Sequence, residues 1–193
     1  MVKITKLIQK IFNFLGLHIG RYYPQRQAVI EARKLFGNKE IIACEIGVLE
    51  GEHAFQMLKH LNIKKLYLID SYENYEEDFQ YKLSGAKEKA EELLREYKDK
   101  IIWIEKYSDD AIKDIKEELD FVYIDANHSY PYVKKDIENY YPLIKKGGII
   151  SGHDYKPNEL LIAPDVIKAV SEFCIKEKKI LVFGHGTDWV VVK

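Results

Sequence analysis

The 193-residue sequence lacks most of the features that mark special classes of protein. It has two cysteines and five prolines, and 30 Lys and Arg residues nearly balance 31 Asp and Glu residues, for a formal net charge of -1. This balance offers no general basic field for phosphates and argues against a nucleic-acid partner. Cys44 and Cys174 lie far apart in apolar surroundings. We therefore expect two reduced core cysteines in a cytoplasmic protein.

Long apolar runs are also missing, so the sequence predicts no transmembrane segment. Near the N-terminus, apolar side chains instead recur at helical spacing with lysines between them: Ile4, Leu7, Ile8, Ile11, Phe12 and Leu15. This spacing predicts an amphipathic helix in an N-terminal helical appendage, residues 1–38, ahead of a domain over residues 39–193. The helix would pack on the domain or on a second subunit of a homo-oligomer, and a membrane-surface position is the alternative.

From Glu40 onward, apolar runs of strand length alternate with longer amphipathic runs. The strand-like runs are Ile41–Ile46, Leu66–Ile69, Ile101–Ile104, Phe121–Ile124 and Gly148–Ile150. The helical patterns are Glu52–Leu61, Asp78–Tyr97, Asp109–Glu117, Pro131–Ile144 with Gly147 as its stop, and Pro164–Lys176. Two last apolar runs, Ile180–Phe183 and Trp189–Val192, are typical of an antiparallel hairpin. This alternation predicts a doubly wound α/β sheet.

Acidic residues recur where the predicted parallel strands end. Glu45 lies near the end of the first strand, Asp70 follows the second, Asp125 the fourth, and His153 and Asp154 come after the fifth. A single acid in such a place is commonly a turn former or a helix cap. In open α/β sheets, however, ligands bind outside the carboxyl ends of the strands. Acids from four separate elements therefore predict a binding site at this edge.

The segment from Glu45 to Gly51 has glycines that permit a tight turn and a close approach to a ligand. It differs from the dinucleotide fingerprint, because Leu49 occupies the place of the required second glycine. Glu45 would also repel a pyrophosphate, whereas it suits a ligand with an ammonium group. S-adenosylmethionine carries an ammonium, a sulfonium and no phosphate. Asp70 follows where an acid can accept hydrogen bonds from both ribose hydroxyls.

These residues resemble those of class I S-adenosylmethionine-dependent methyltransferases. The resemblance rests on Glu45-x-Gly47-x-x-x-Gly51, on Asp70, on Ile124-Asp125-Ala126-Asn127-His128-Ser129-Tyr130, and on Lys135-Asp136 followed by the stretch from Leu143 to Tyr155. In that combination the sequence is similar to the small-molecule and sugar O-methyltransferases grouped as methyltransferase family 24. The resemblance extends from about Glu40 to the C-terminus. It implies a Rossmann-like, doubly wound seven-stranded sheet, mostly parallel, with an antiparallel C-terminal hairpin.

The resemblance also implies roles for the residues of the cofactor site. Glu45 and Gly47, with Gly51 in the same loop, would hold the methionine end of S-adenosylmethionine, and Asp70 its ribose. Ser108 and Asp109 fall where related enzymes contact adenine, although Ser108 could equally be a helix N-cap. The acceptor would be a hydroxyl group on a small molecule or sugar.

Some relatives hold a divalent cation at the ends of the fourth and fifth strands, which here implies Asp125 with His153 or Asp154. Two carboxylates suit Mg²⁺, whereas a histidine ligand favours a transition metal. The catechol-type enzymes have an acid and an amide at the fifth strand, and His153-Asp154 departs from that pattern.

His128 is the candidate general base, because its loop would face the acceptor next to Asp125. The alternative is that His128 and Tyr130 only fix this loop by hydrogen bonds. His53 is expected to be structural.

Three other functions remain open at this point. A binding or regulatory module could keep the fold and the S-adenosylmethionine site without catalysis. An NAD-dependent oxidoreductase is disfavoured by Leu49 and Glu45. An RNA methyltransferase is disfavoured by the near-neutral charge.

Overall fold

The computed structural model describes residues 25–73, 84–156, 164–183 and 187–193. Within them, seven strands form one sheet: β1 (Ile41–Ile46), β2 (Ile63–Ile69), β3 (Ile101–Ile104), β4 (Leu119–Ile124), β5 (Ile144–Gly152), β6 (Leu181–Phe183) and β7 (Trp189–Val192). The helices are α1 (Gln27–Phe36), α2 (Glu52–His60), α3 (Ala86–Leu94), α4 (Ser108–Ala111), α5 (Tyr130–Tyr140) and α6 (Pro164–Glu177). Short 3₁₀ turns follow α3, α4 and α5 at Arg95–Lys100, Ile112–Asp114 and Tyr141–Leu143.

The strands lie in the order β3-β2-β1-β4-β5-β7-β6. β1 pairs in parallel with both β2 and β4, so the winding of the chain reverses between β1 and β4. β7 is antiparallel to its neighbours β5 and β6. The predicted doubly wound, mostly parallel sheet with an antiparallel C-terminal hairpin is confirmed. A reversal of this kind opens a crevice at the carboxyl ends of the central strands.

Helices cover both faces of the sheet, because the central strands are apolar on both sides. On one face α1, α2 and α3 pack on alternate strand residues such as Ile41, Ala43 and Phe121. On the other, α4, α5 and α6 pack on residues such as Cys44 and Val122. Each of the central strands β1, β2 and β4 thus contributes side chains to two cores, which holds its carboxyl end in a fixed place.

Several element boundaries differ from the predicted ones. Gly147, predicted to stop the helix that begins at Pro131, lies inside β5 at a φ of +79°, where the pairing register with β4 shifts. That helix ends at Tyr140 and gives way to a 3₁₀ turn, since Pro142 has no N–H to continue it. The third predicted helical pattern, Asp109–Glu117, is only a short α4 and a 3₁₀ turn.

Cys44 and Cys174 are free and buried, and burial raises the pKa of the Cys44 thiol well above its usual value. Neither forms a disulfide, in agreement with the prediction of core cysteines. The predicted amphipathic helix over residues 4–15 lies outside the described residues. Within the described part of the chain, no helix has both the length and the apolarity to cross a membrane.

Helix α1 is packed into the main core although it precedes the domain boundary expected at residue 39. Ala28, Val29 and Ala32 are fully buried in the cluster that includes β1 and α2. The first turn of α1 is held by a residue far away in the sequence, because the Ala28 N–H donates a 3.0 Å hydrogen bond to Oδ2 of Asp188. The other oxygen of this buried carboxylate accepts the Tyr123 hydroxyl at 2.9 Å. Asp188 therefore joins α1, β4 and the start of β7.

We predict that Asp188→Ala lowers the free energy of unfolding by about 2–4 kcal/mol, because two buried donors lose their acceptor. Chemical denaturation followed by circular dichroism measures this change. Asp99→Ala is the matched control, since Asp99 is exposed, and it should change stability by less than about 0.5 kcal/mol. Equal effects of the two substitutions would show that Asp188 does not anchor α1.

Candidate functional site

A cavity of about 830 Å³ lies at the carboxyl ends of the parallel strands. Its wall carries nine carboxyl side chains, from Glu45, Glu50, Glu52, Asp70, Asp109, Asp110, Asp125, Asp136 and Asp154. The Arg and Lys side chains in the wall are Arg26 and Lys106, and the wall also has three histidines, His53, His128 and His153. So acidic a wall attracts cationic ligands and repels phosphates.

At Gly47, the loop that follows β1 passes very close to the main chain at the end of β4. Its φ is +85°, and a Cβ at this position would lie 2.2 Å from the carbonyl oxygen of Asp125. The Gly47 N–H donates to the Ile69 carbonyl at 2.8 Å, and the Asp125 N–H donates to the Ile46 carbonyl at 2.8 Å. Glycine is required here because only a residue without a side chain lets the loop after β1 cross the end of β4.

Asp70, the acid after β2, holds the same loop through its carboxylate. One oxygen accepts the N–H groups of Val48 and Leu49 at 2.8 and 3.0 Å, and the other accepts the Tyr72 N–H at 2.8 Å. These bonds fix Leu49 in a left-handed conformation with a φ of +50°, which is unfavourable for a residue with a side chain. Asp70 lines the cavity, and with three N–H groups accepted its carboxylate keeps about one lone-pair site for a ligand's hydroxyl group.

Gly51, predicted to belong to the cofactor site, does not line the cavity. It is buried with a φ of +77°, and a Cβ there would lie 3.1 Å from the Cβ of Ala90 in α3. This glycine lets α2 begin against α3, which is a packing role.

Glu45 and His53 are almost completely buried, at 2% and 5% exposure, and both reach the cavity wall. The His53 ring stacks on Tyr123 with 3.5 Å between ring centroids, and its Nδ1 lies 3.4 Å from Oε1 of Glu45. Burial lowers the pKa of His53 to about 3, so its imidazole is neutral near pH 7. Burial, with the nearby charge of Asp125, raises the pKa of Glu45 well above its usual value.

Arg26, the residue before α1, also lines this end of the cavity, and no sequence pattern predicted it. Its guanidinium nitrogens lie 3.5 Å from Asp188 and 4.0 Å from Asp125. Its main-chain N–H donates to the side-chain oxygen of Gln56 at 2.8 Å. The position of Asp188 could have been predicted from the sequence. Because β7 is antiparallel to β5, an acid just before β7 lies at the edge of the sheet where the parallel strands have their carboxyl ends.

Ser108 and Asp109, predicted near adenine, both line the cavity at the start of α4. Ser108 is the first residue of α4 and Tyr107 is its N-cap, so Ser108 is not the N-cap. Asp109 is held by an ion pair with Lys135 and by a 3.0 Å hydrogen bond from Asn139. Asp136, which was not singled out for the site, is buried beside Ser108, and burial raises its pKa to about 6.

The proposed catalytic and metal-binding residues gather at the ends of β4 and β5. His128 lies between two acids, with Nε2 at 3.3 Å from Oδ1 of Asp125 and Nδ1 at 3.3 Å from Oδ2 of Asp154. Ligand atoms of these three residues all lie within 4.8 Å of one another, which suits a cation. The predicted metal group paired the two acids with His153 instead.

His153 lies beside both acids of the predicted metal group, with its Nδ1 3.7 Å from Oδ1 of Asp125. Its Nε2 is hydrogen-bonded to the Thr187 hydroxyl, and its Nδ1 lies 3.2 Å from Oδ1 of Asp154. The hydrogen bond to His153 is the largest cause that lowers the pKa of Asp154, to about 2. His153 thereby keeps Asp154 ionised and orients it. Asp154 itself has a φ of +60°, a conformation that aspartate tolerates better than most residues.

Comparisons with known proteins agree with this geometry. A family model described as a methyltransferase domain, methyltransferase family 24, matches residues 44–155, which is more than half of the chain. An uncharacterized protein of Acanthamoeba polyphaga mimivirus is 29% identical over 145 residues, which cover 71% of this chain. The match spans 61% of the length of that viral protein.

Solved structures share the fold at low sequence identity. An O-methyltransferase from Bacillus cereus in complex with S-adenosylhomocysteine is 15% identical, with a TM-score of 0.62 over 98% of this chain and 90% of its own. A Staphylococcus aureus protein provisionally assigned as a caffeoyl-CoA O-methyltransferase is 15% identical, with a TM-score of 0.64 over 98% and 92%. An rRNA methylase from Streptococcus thermophilus is 14% identical, with a TM-score of 0.61 over 90% and 96%.

Proposed function

The chain belongs to methyltransferase family 24, and we propose that it transfers the methyl group of S-adenosylmethionine to a hydroxyl oxygen of a small molecule or sugar. The observation that carries the proposal is the position of His128 between Asp125 and Asp154 in the wall of an acidic cavity. The cofactor supplies an electrophilic methyl group on a sulfonium. The protein must therefore bind a cation and remove a proton from the acceptor.

The charges and hydrogen-bonding groups of the cavity wall suit the cofactor. Oε2 of Glu45 is buried and has no hydrogen-bond partner, so it can accept a bond from the cofactor's ammonium. We assign Asp70 to the ribose hydroxyls and Ser108, Asp109 and Asp136 to the adenine, and all four residues line the cavity. The excess of carboxylates favours the positive sulfonium and disfavours the phosphates of NAD or RNA.

His128 is the residue that we assign as general base. A hydroxyl becomes a better nucleophile as its proton leaves, and a neutral imidazole can accept that proton. The two flanking carboxylates would stabilise the imidazolium that results, because opposite charges attract strongly in a partly enclosed site. Asp125 and Asp154 would then hold the ring in place throughout the transfer.

A divalent cation bound by Asp125 and Asp154 is the second part of the proposal. Two carboxylates, completed by water, are a donor set that suits Mg²⁺ or Mn²⁺, and His128 stays outside the coordination sphere as the base. Such an ion would lower the pKa of the acceptor hydroxyl and orient its oxygen. His153, through its contact with Asp154, positions one of the two ligands.

The proposed activity predicts transfer of tritium from methyl-labelled S-adenosylmethionine to hydroxylated acceptors, with a methyl ether as the product. A panel of sugars and catechols, followed by mass spectrometry of the labelled product, measures this. An rRNA fragment serves as the competing acceptor. Label in the RNA alone, or methylation at nitrogen, would contradict the proposal. Binding of S-adenosylhomocysteine without any transfer would indicate a non-catalytic module.

The metal part predicts that a chelator abolishes transfer and that Mg²⁺ or Mn²⁺ restores it. Asp154→Asn should raise the half-activating metal concentration by at least about tenfold, because even outer-shell partners of a metal typically contribute 10–100-fold. Asp99→Asn, an exposed acid away from the cavity, should leave it unchanged. Full activity in excess chelator would remove the metal from the mechanism.

The base assignment predicts that His128→Ala lowers kcat by about 10²–10⁴-fold at saturating metal. The affinity for S-adenosylhomocysteine should stay within about threefold, because the binding contacts of the cofactor lie elsewhere in the wall. His60→Ala is the matched control, since His60 ends α2 outside the cavity wall. An undiminished kcat in His128→Ala would leave this histidine with the loop-fixing role alone.

A further inference from the structure

Three polar side chains at one end of the cavity have bonding capacity that the protein does not use. Glu45 and His53 are more than nine-tenths buried, yet Oε2 of Glu45 and both ring nitrogens of His53 have no hydrogen-bond partner. Buried polar groups are nearly always paired, and an unpaired one in a cavity wall calls for an explanation. A ligand with complementary polar groups at this place supplies one.

Arg26 adds a positive charge beside these two residues. Its nitrogens are 3.5 Å from Asp188 and 4.0 Å from Asp125, whereas charge-assisted hydrogen bonds of this type are about 2.7–2.9 Å long. The fork of the guanidinium therefore keeps donors for a ligand. Its position is fixed, because the main-chain N–H groups of Arg26 and Ala28 donate to Gln56 and Asp188.

The chemistry of these groups describes a particular kind of ligand. Glu45 offers an acceptor, which suits an ammonium. Arg26 offers a planar fork of donors, and the neutral His53 offers one further N–H, which together suit a carboxylate. A free anion would be repelled by the neighbouring Glu45 and Asp125, but the carboxylate of an α-amino acid brings its own ammonium with it. The site is thus complementary to a zwitterion.

We propose that Arg26 and His53 bind the α-carboxylate of the amino-acid end of S-adenosylmethionine while Glu45 binds its ammonium. This inference rests on the proposed function, and it gives the residue before α1 a part in cofactor recognition. It also gives His53 a binding role in addition to its stacking on Tyr123. The protein would therefore distinguish the cofactor from analogues that keep the ammonium and lack the carboxylate.

The test compares S-adenosylhomocysteine with its decarboxylated analogue, which has the same adenosine, thioether and ammonium. Isothermal titration calorimetry without acceptor measures both affinities. We expect the parent protein to prefer S-adenosylhomocysteine. Arg26→Gln should weaken S-adenosylhomocysteine binding by about 10–100-fold and leave the analogue unchanged or bound more tightly. The control is Arg33→Gln, at an exposed arginine within α1, which should change neither affinity.

His53→Phe keeps an aromatic ring against Tyr123 and removes the N–H, so it should weaken S-adenosylhomocysteine by about 3–10-fold and spare the analogue. If Arg26→Gln does not fold, as judged by circular dichroism, Arg26→Lys takes its place. Lysine keeps the charge and loses the fork, so a smaller loss confined to S-adenosylhomocysteine is expected.

Equal losses for the two ligands would overturn the inference, because Arg26 would then act only through Asp125 and Asp188. A parent protein with no preference between the ligands would overturn it as well. Failure of the parent protein to bind S-adenosylhomocysteine at all would instead contradict the proposed function. The two ideas therefore fail by different results.

Discussion

Repulsion between carboxylates is the constraint on which the rest of the site depends. Parallel strands place their carboxyl ends at one edge, and this chain puts an acid at nearly every one of them. Each acid has to be stabilised locally, and each is stabilised in a different way. Asp70 accepts three main-chain N–H groups, Asp154 lies against two histidines, and Asp188 accepts a buried hydroxyl and the first turn of α1. Glu45 is the exception, because its pKa is raised by burial and one oxygen has no partner.

The number of hydrogen bonds that each carboxylate accepts within the protein distinguishes the acids with a structural role from those with a proposed binding role. A carboxylate with a full set of donors gains little from a ligand, since its hydrogen bonds are already made. One that is buried with an unused oxygen becomes more stable when a cation arrives. Asp188 belongs to the first kind and Glu45 to the second. The difference explains how so acidic an edge can be both a stable part of the fold and a site for a positively charged cofactor.

Much of the fold and part of the site follow from the sequence because they depend on local patterns. Short stretches of sequence are enough to recognise the apolar runs that form β1, β3 and β4. The same is true of the acids that follow the parallel strands. Arg26 could not be predicted in this way, because it reaches the cavity only when α1 packs on the sheet. The residue that anchors α1 is Asp188, which lies 160 positions beyond Ala28 in the sequence. The choice between His128 and His153 likewise depended on where the Thr187 hydroxyl lies. A contact between two residues that are far apart in the sequence produces no periodic pattern of apolar residues.

The long-range anchor has a consequence for how the site is completed. The domain boundary expected at residue 39 would divide Arg26 from Glu45 and Asp125, yet these residues share one cavity wall. Whatever holds α1 against the sheet, above all Asp188, also holds the guanidinium near the carboxylates. A ligand that binds across Arg26 and Glu45 would therefore stabilise the docking of α1, because ligands favour the conformation that they bind. In the proposed binding mode, the packing of the first described helix and the recognition of the cofactor would be one equilibrium rather than two.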